Sequence, residues 1–164
     1  MVGVRNVAGA CNEALGASQG KTVLLLENMA GQKNCVGARF EELKLILDLV
    51  RKRKRIGLCL DTCHAFAAGF DLTSKPAVEK TMSLFDELVE LREIKVVHLN
   101  DSKGLQGSAL DRHEHIGMGK IGKEGFGAFL HYDSITDLPL LMETPVDDMR
   151  MDAQNMQLVR RLAS

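Results

Sequence analysis

Four apolar runs in this chain each end in a residue able to bind a cation: Thr22-Val-Leu-Leu-Leu-Glu27, Ile56-Gly-Leu-Cys-Leu-Asp61, Ile94-Lys-Val-Val-His98 and Leu138-Pro-Leu-Leu-Met-Glu143. Each has the length of a buried strand and is followed by a loop and a stretch of helical periodicity, so the sequence predicts successive βα units and a parallel sheet. In a flat parallel sheet the four end residues would stand side by side, the outer two about 14 Å apart at roughly 4.8 Å per strand. They would share no ion. In a sheet curled as in a (β/α)8 barrel they point inward at the C-terminal face and converge. The expected fold is therefore α/β, a parallel TIM-type barrel, of which only four βα units are written here: a half-barrel preceded by one helix.

That helix is predicted over 4–15, where Val4, Val7, Ala8, Cys11 and Leu15 recur at helical spacing. Further helices are expected over 40–52, 76–91 with Pro76 near its first turn, 122–132 and 149–162, with 62–75 as a loop. With 164 residues, 45% hydrophobic and 26% charged, the chain reads as one domain over 1–164. No run approaches the roughly 20 apolar residues that span a bilayer. Met1 leads into no signal-peptide pattern, so an intracellular protein is expected, without a membrane partner. Cys11, Cys35, Cys59 and Cys63 form no C-x-x-C pair and read as reduced thiols, not as a cysteine zinc site.

The segment after the third strand, HLNDSKGLQGSALDRHEHIGMG from His98 to Gly119, gathers His98, Asp101, Asp111, His113 and His115. Acids and imidazoles collected where a buried strand opens into a loop are the makings of a hydrolytic metal site. Asp61 and His64 lie three residues apart across a strand-to-loop turn, a spacing that lets them serve neighbouring ions, and Asp111-x-His113 offers two groups on one side of the next loop. Arg112 between them is a candidate phosphate contact, since a guanidinium pairs bidentately with phosphate oxygens. His115 is expected to stand behind the ligands without binding metal or to be solvated, and His131 to be structural. The run Arg51-Lys-Arg-Lys-Arg55 falls between a helix and a strand, at the barrel face away from the chemistry, and reads as a solvated turn. Gly117, Gly119 and Gly122 shape a loop instead of a nucleotide fingerprint, because no strand directly precedes them. Phe66 and Phe70 either wall the pocket or pack beneath it. A formal net charge of −1 is low for a nucleic-acid binder, but bound divalent ions would make the site itself positive.

The segments LLLENMAGQ (24–32), GLCLDTCHAFAAGFDL (57–72), VVHLNDSK (96–103), DRHEHIGMGKIG (111–122) and LLMETP (140–145) resemble the endonuclease IV family of apurinic/apyrimidinic endonucleases, in the family's order and over nearly the whole chain. DTCHAFAAGFD and HLNDSK followed by DRHxxIG are specific signals. The resemblance implies a TIM barrel with a trinuclear zinc cluster, of which this chain is the C-terminal half. Glu27 resembles the carboxylate bridging two zincs, and Asp61, His98 and Glu143 resemble the other ligands of the second zinc. His64, Asp111 and His113 resemble the ligands of the third. Two histidines of the first site come, in the family, from strands preceding the one that ends at Glu27, so about two ligand sets are expected to be complete here.

The function so implied is base-excision repair: metal-dependent hydrolysis of the DNA phosphodiester 5′ to an abasic site, with Glu27 and Glu143 catalytic, Arg112 on the substrate and zinc as cofactor. The partners would be duplex DNA with abasic sites and either a second copy of the chain or an N-terminal half. The location would be the cytoplasm of a prokaryote, or the nucleus or mitochondrion of a eukaryote. The alternatives are a xylose isomerase-like sugar isomerase or epimerase, which uses a single Glu, Asp, His, Glu site, and an inactive truncated remnant. His64 with Asp111 and His113 separates the first two, since a one-metal isomerase has no use for a further three-ligand site.

Overall fold

The expected βα repeats follow one another in order in the computed structural model, which describes residues 1–164. Helix α1 (Val2–Ala17) buries Val4, Ala8, Cys11 and Leu15 against α2 (Phe40–Leu49), which turns Phe40, Leu43, Ile46 and Leu47 inward. Between them runs β1 (Leu24–Glu27). Strand β2 (Ile56–Asp61) is buried throughout and passes directly into a short helix α3 (Thr62–Ala67). Next are α4 (Lys75–Val89) and β3 (Ile94–His98). The long loop then contains a small hairpin of β4 (Asp101–Ser102) and β5 (His113–Glu114). The chain closes with α5 (Gly122–Leu130), β6 (Leu140–Leu141) and α6 (Asp152–Leu162).

The main sheet is parallel, with strand order β1-β2-β3-β6. One of its faces, carrying Leu58, Leu60, Ile94 and Val97, joins a continuous apolar core with Phe40, Phe85, Phe126 and Phe129 of the helices. Each such side chain contributes roughly 1.5–3 kcal/mol on burial. The other face is open at the outer strands: Val23 is 42% and Leu141 52% exposed. No helix is long and apolar enough to cross a membrane.

The structure revises several boundaries. Residues 62–67, expected in a loop, are helical because the Asp61 carboxylate accepts a hydrogen bond from the His64 N–H, capping the first turn. The last strand, expected over 138–143, shrinks to Leu140–Leu141. It is an edge strand and Pro139 has no N–H to give, although the Pro139 and Leu141 carbonyls still accept from the Val97 and Leu99 N–H groups at 3.0 and 2.7 Å. Phe70 stacks on Phe40 with ring centroids 3.8 Å apart and Phe66 lies in the core, so both pack against the apolar interior. The basic run lies at the N-terminal end of β2, where it is partly engaged: Arg53 pairs with Glu93 at 2.9 Å and Arg55 donates to the Ser18 carbonyl at 2.8 Å.

Candidate metal centre

The strand ends converge because the sheet is both staggered and curled. Along its register Glu27 lies beside Cys59, Asp61 beside His98, and His98 beside Leu141. Asp61 and His98 are thus level, while Glu27 and Glu143 are each offset by two residues from the row that those two define. The ligand atoms of Glu27, Asp61, His98 and Glu143 nevertheless all lie within 4.8 Å of one another, which a flat sheet does not allow. His98 Nδ1 is central, 3.2 Å from Glu27 Oε1, 3.3 Å from Glu143 Oε2 and 3.8 Å from Asp61 Oδ2.

Beside this group stands a second one. His64, in the first turn of α3, and His113, in β5, each point one ring nitrogen at a backbone carbonyl: His64 Nδ1 is 2.8 Å from Asn28 O and His113 Nδ1 3.1 Å from Glu143 O. A carbonyl only accepts, so both Nδ1 atoms carry the proton and a neutral imidazole leaves a bare lone pair on Nε2. Both Nε2 atoms turn toward Asp111 Oδ1, at 3.2 and 3.5 Å, and His113 Nε2 is buried without a hydrogen-bond partner. Two lone pairs and a carboxylate facing one point need a cation between them. A carbonyl-anchored imidazole with its other nitrogen free is also how proteins orient metal-binding histidines. Asp61 lies between the groups, its carboxylate within 4.8 Å of the ligand atoms of both His64 and His113.

The local electrostatics agree. Burial alone would lower the His64 pKa, but the Glu27 hydrogen bond, the Asp61 and Asp111 charges and the Asn28 carbonyl push it up to about 9, so a proton is held where a cation fits. Burial raises Glu27, yet His64 and His98 hold it below the usual carboxylate range. Asp61 is raised by burial. Burial and the neighbouring Glu27 and Asp61 charges push the Cys59 thiol up to about 12.

A sequence profile of the xylose isomerase-like TIM barrel matches residues 3–163. The chain belongs to that family. Its relatives within the xylose isomerase-like TIM barrels include the "Probable endonuclease 4" of Methanoculleus marisnigri, 47% identical over 98% of this chain and 57% of the relative. The "Apurinic-apyrimidinic endonuclease" of Caenorhabditis elegans is 50% identical over 75% of this chain and 31% of that protein. The crystal structure of endonuclease IV from Thermus thermophilus superposes with a TM-score of 0.80 at 38% identity, covering 95% of this chain and 55% of the other. The chain thus spans somewhat over half the length of the endonuclease IV proteins it matches most fully, and its four-stranded sheet is a partial TIM barrel.

The sequence reading missed the residues that orient these ligands. Asn100, fully buried, donates from Nδ2 to Asp61 Oδ2 at 2.6 Å and to Glu143 Oε2 at 3.2 Å, and its Oδ1 accepts the Glu143 N–H at 2.8 Å. Asn28 exchanges two hydrogen bonds with the Asp61 backbone, at 2.7 and 3.0 Å. Asp101 takes the N–H groups of Ser102, Gly117, Gly119 and Ile121 at 2.8–3.0 Å. It is a loop organiser and not a ligand. A Cβ at Gly119 would come within 2.5 Å of that carboxylate, which is why the loop carries glycine there. Asp101→Ala leaves these donors unpaired in a buried place. It is expected to cost about 3 kcal/mol or more, read as a lower denaturant midpoint at unchanged slope.

The other candidates fall outside the centre. His115 is fully buried, donating from Nε2 to Asp147 at 2.9 Å and accepting at Nδ1 from Asn155 at 3.0 Å, so it ties α6 to the ligand loop and is not solvated. His131 bonds the Gly127 carbonyl on α5. Arg112 is exposed beside the ligands, donating to the Asp111 carbonyl at 2.7 Å.

Proposed function

We propose that this chain carries the metal-binding half of an abasic-site endonuclease of the endonuclease IV type, occupying 1–164 as the C-terminal part of a (β/α)8 barrel. It would hydrolyse the phosphodiester 5′ to an abasic site in duplex DNA. The supporting observation is the second donor group: His64, Asp111 and His113 converge beside Glu27, Asp61, His98 and Glu143. A sugar isomerase with a single metal site has no use for it. The two groups would hold zinc, the first as a carboxylate-rich set, the second as three ligands with an open position. Bound there, the ions would polarise the phosphoryl oxygens and stabilise the charge that develops on the leaving oxygen.

The chain's own residues have separable tasks in this reading. Of the strand-end carboxylates, Asp61 is buried, whereas Glu27 and Glu143, with side chains 34% and 52% exposed, are open to an incoming substrate and serve to orient the attacking water and take its proton. Asn100 fixes the Glu143 and Asp61 oxygens, so that the carboxylates need not reorganise during reaction. Arg112 engages a phosphate oxygen from the rim. DNA as substrate would place the protein in the cytoplasm of a prokaryote, or in the nucleus or a mitochondrion of a eukaryote.

A duplex with one abasic site, incubated with the zinc-loaded chain, is expected to be nicked 5′ to that site, leaving a 3′-hydroxyl. A chelator should stop the reaction. Glu143→Gln should lower the rate by on the order of 100-fold or more. Sugar isomerisation with no nicking would overturn this reading in favour of an isomerase, and neither activity in a folded, zinc-loaded chain would mark it as catalytically inert.

A further inference from the structure

The stagger of the sheet places a thiol where the four-ligand description has none. The direct neighbour of Glu27 across the first strand pair is Cys59, and Asp61 lies two residues farther along β2. Since alternate residues of a strand share a face, the Cys59 side chain lies on the same side of the sheet as the Asp61 carboxylate, one pleat toward the strand's N-terminal end. It is buried, and its sulfur, a Glu27 carboxylate oxygen and a His98 ring nitrogen all lie within 4.8 Å of one another. Cys11, Cys35 and Cys63 take part in no comparable group. Every donor offered to an ion by Asp61 and Glu143 is an oxygen, whereas this lower triangle offers one sulfur, one nitrogen and one oxygen.

We propose that Glu27, Cys59 and His98 form a second donor set that takes a thiophilic divalent cation such as Cd2+, displacing the ion held by Glu27, Asp61, His98 and Glu143. Both sets use Glu27 and His98, so one pair of side chains cannot close on two ions in the same manner. A harder ion stays with the oxygen-rich upper set, and a soft ion gains from sulfur. Binding breaks the Cys59 S–H bond and forms a sulfur–metal bond. The proton leaves to buffer, and no electron is transferred. The inference draws on the proposed metal reading only in that Glu27 and His98 serve both sets.

Cadmium chloride titrated into the zinc-loaded chain tests it, with the ultraviolet sulfur-to-cadmium charge-transfer band and the zinc released to a chromophoric chelator followed together. The band is expected to saturate at about one cadmium per chain and to grow as zinc is lost. It should disappear in Cys59→Ser and Cys59→Ala and persist in Cys35→Ser, while both Cys59 variants keep the zinc content of the parent chain. A band that survives loss of Cys59, or that develops fully while zinc content stays constant, overturns the proposal. The second outcome is read on the unaltered chain and does not depend on how the variants fold. Absence of zinc from the parent chain would instead count against the proposed metal reading, and the sulfur band would still report on Cys59.

Discussion

Elemental analysis of the chain purified with zinc should find about two ions per molecule, and the paired change of His64 and His113 to alanine should remove one of them. The two donor groups are built from different parts of the fold. Glu27, Asp61, His98 and Glu143 stand at or just beyond the ends of sheet strands, whereas His64 comes from the first turn of α3 and Asp111 and His113 from the loop and hairpin after β3. Removing the imidazoles deletes the inward-facing Nε2 atoms but leaves the sheet and the Asn100 bridge in place. Loss of a single ion is therefore expected, accompanied by loss of nicking. Loading must expel the proton that His64 otherwise keeps up to about 9. An ion that binds only the folded chain stabilises it, by about 2.7 kcal/mol at a hundredfold excess over its dissociation constant, so chelation should lower the thermal midpoint of the parent chain. Three tightly held ions, none, or the loss of both together in the double variant would overturn the division into two independent sites.

The proposed ligands were legible because each terminates or follows a pattern. Glu27, Asp61 and His98 end apolar runs, and that alone marks them as polar groups at the C-terminal ends of strands. Convergence was legible too, by a different route: residue types that make sense only as a shared site require a curled sheet, and the 4.8 Å clustering agrees. Asn100 was not legible, since one amide two residues beyond a strand has many possible partners, and its choice of Asp61 and Glu143 depends on the relative height of three strands. The same holds for Cys59. As a sequence position it is an apolar filler, and only the register that sets it opposite Glu27 makes it a neighbour of ligands. Helix α3 was overlooked because its cap, Asp61, was read solely as a ligand, although the carboxylate also accepts the His64 N–H at 2.8 Å. The hairpin of β4 and β5, two residues on each side, is too short to leave a periodic trace.

Sedimentation of the chain by itself should show association, promoted by zinc and reversed by a chelator. The sheet is not closed: β1 and β6 each have one unpaired edge, and Val23 and Leu141, beside or on those edges, are 42% and 52% exposed. Unpaired N–H and C=O groups flanked by apolar side chains favour pairing with another chain. A closed barrel removes the edges altogether. We therefore propose that the open side is filled either by a second copy or by a complementary half-barrel. In a two-fold pair the Glu27 and Glu143 carboxylates of one copy would face those of the other, and their repulsion would oppose closure unless cations occupied the centre. This is the origin of the expected zinc dependence. A complementary N-terminal half-barrel supplied in trans should compete with self-association and yield a defined heterodimer. Lys substitutions at Val23 and Leu141 should weaken both forms of association while leaving the His64, Asp111, His113 ion in place, because that group lies on α3 and the ligand loop and not on the open edges. A monodisperse, cooperatively melting monomer with and without zinc would show that the open sheet is stable as it stands.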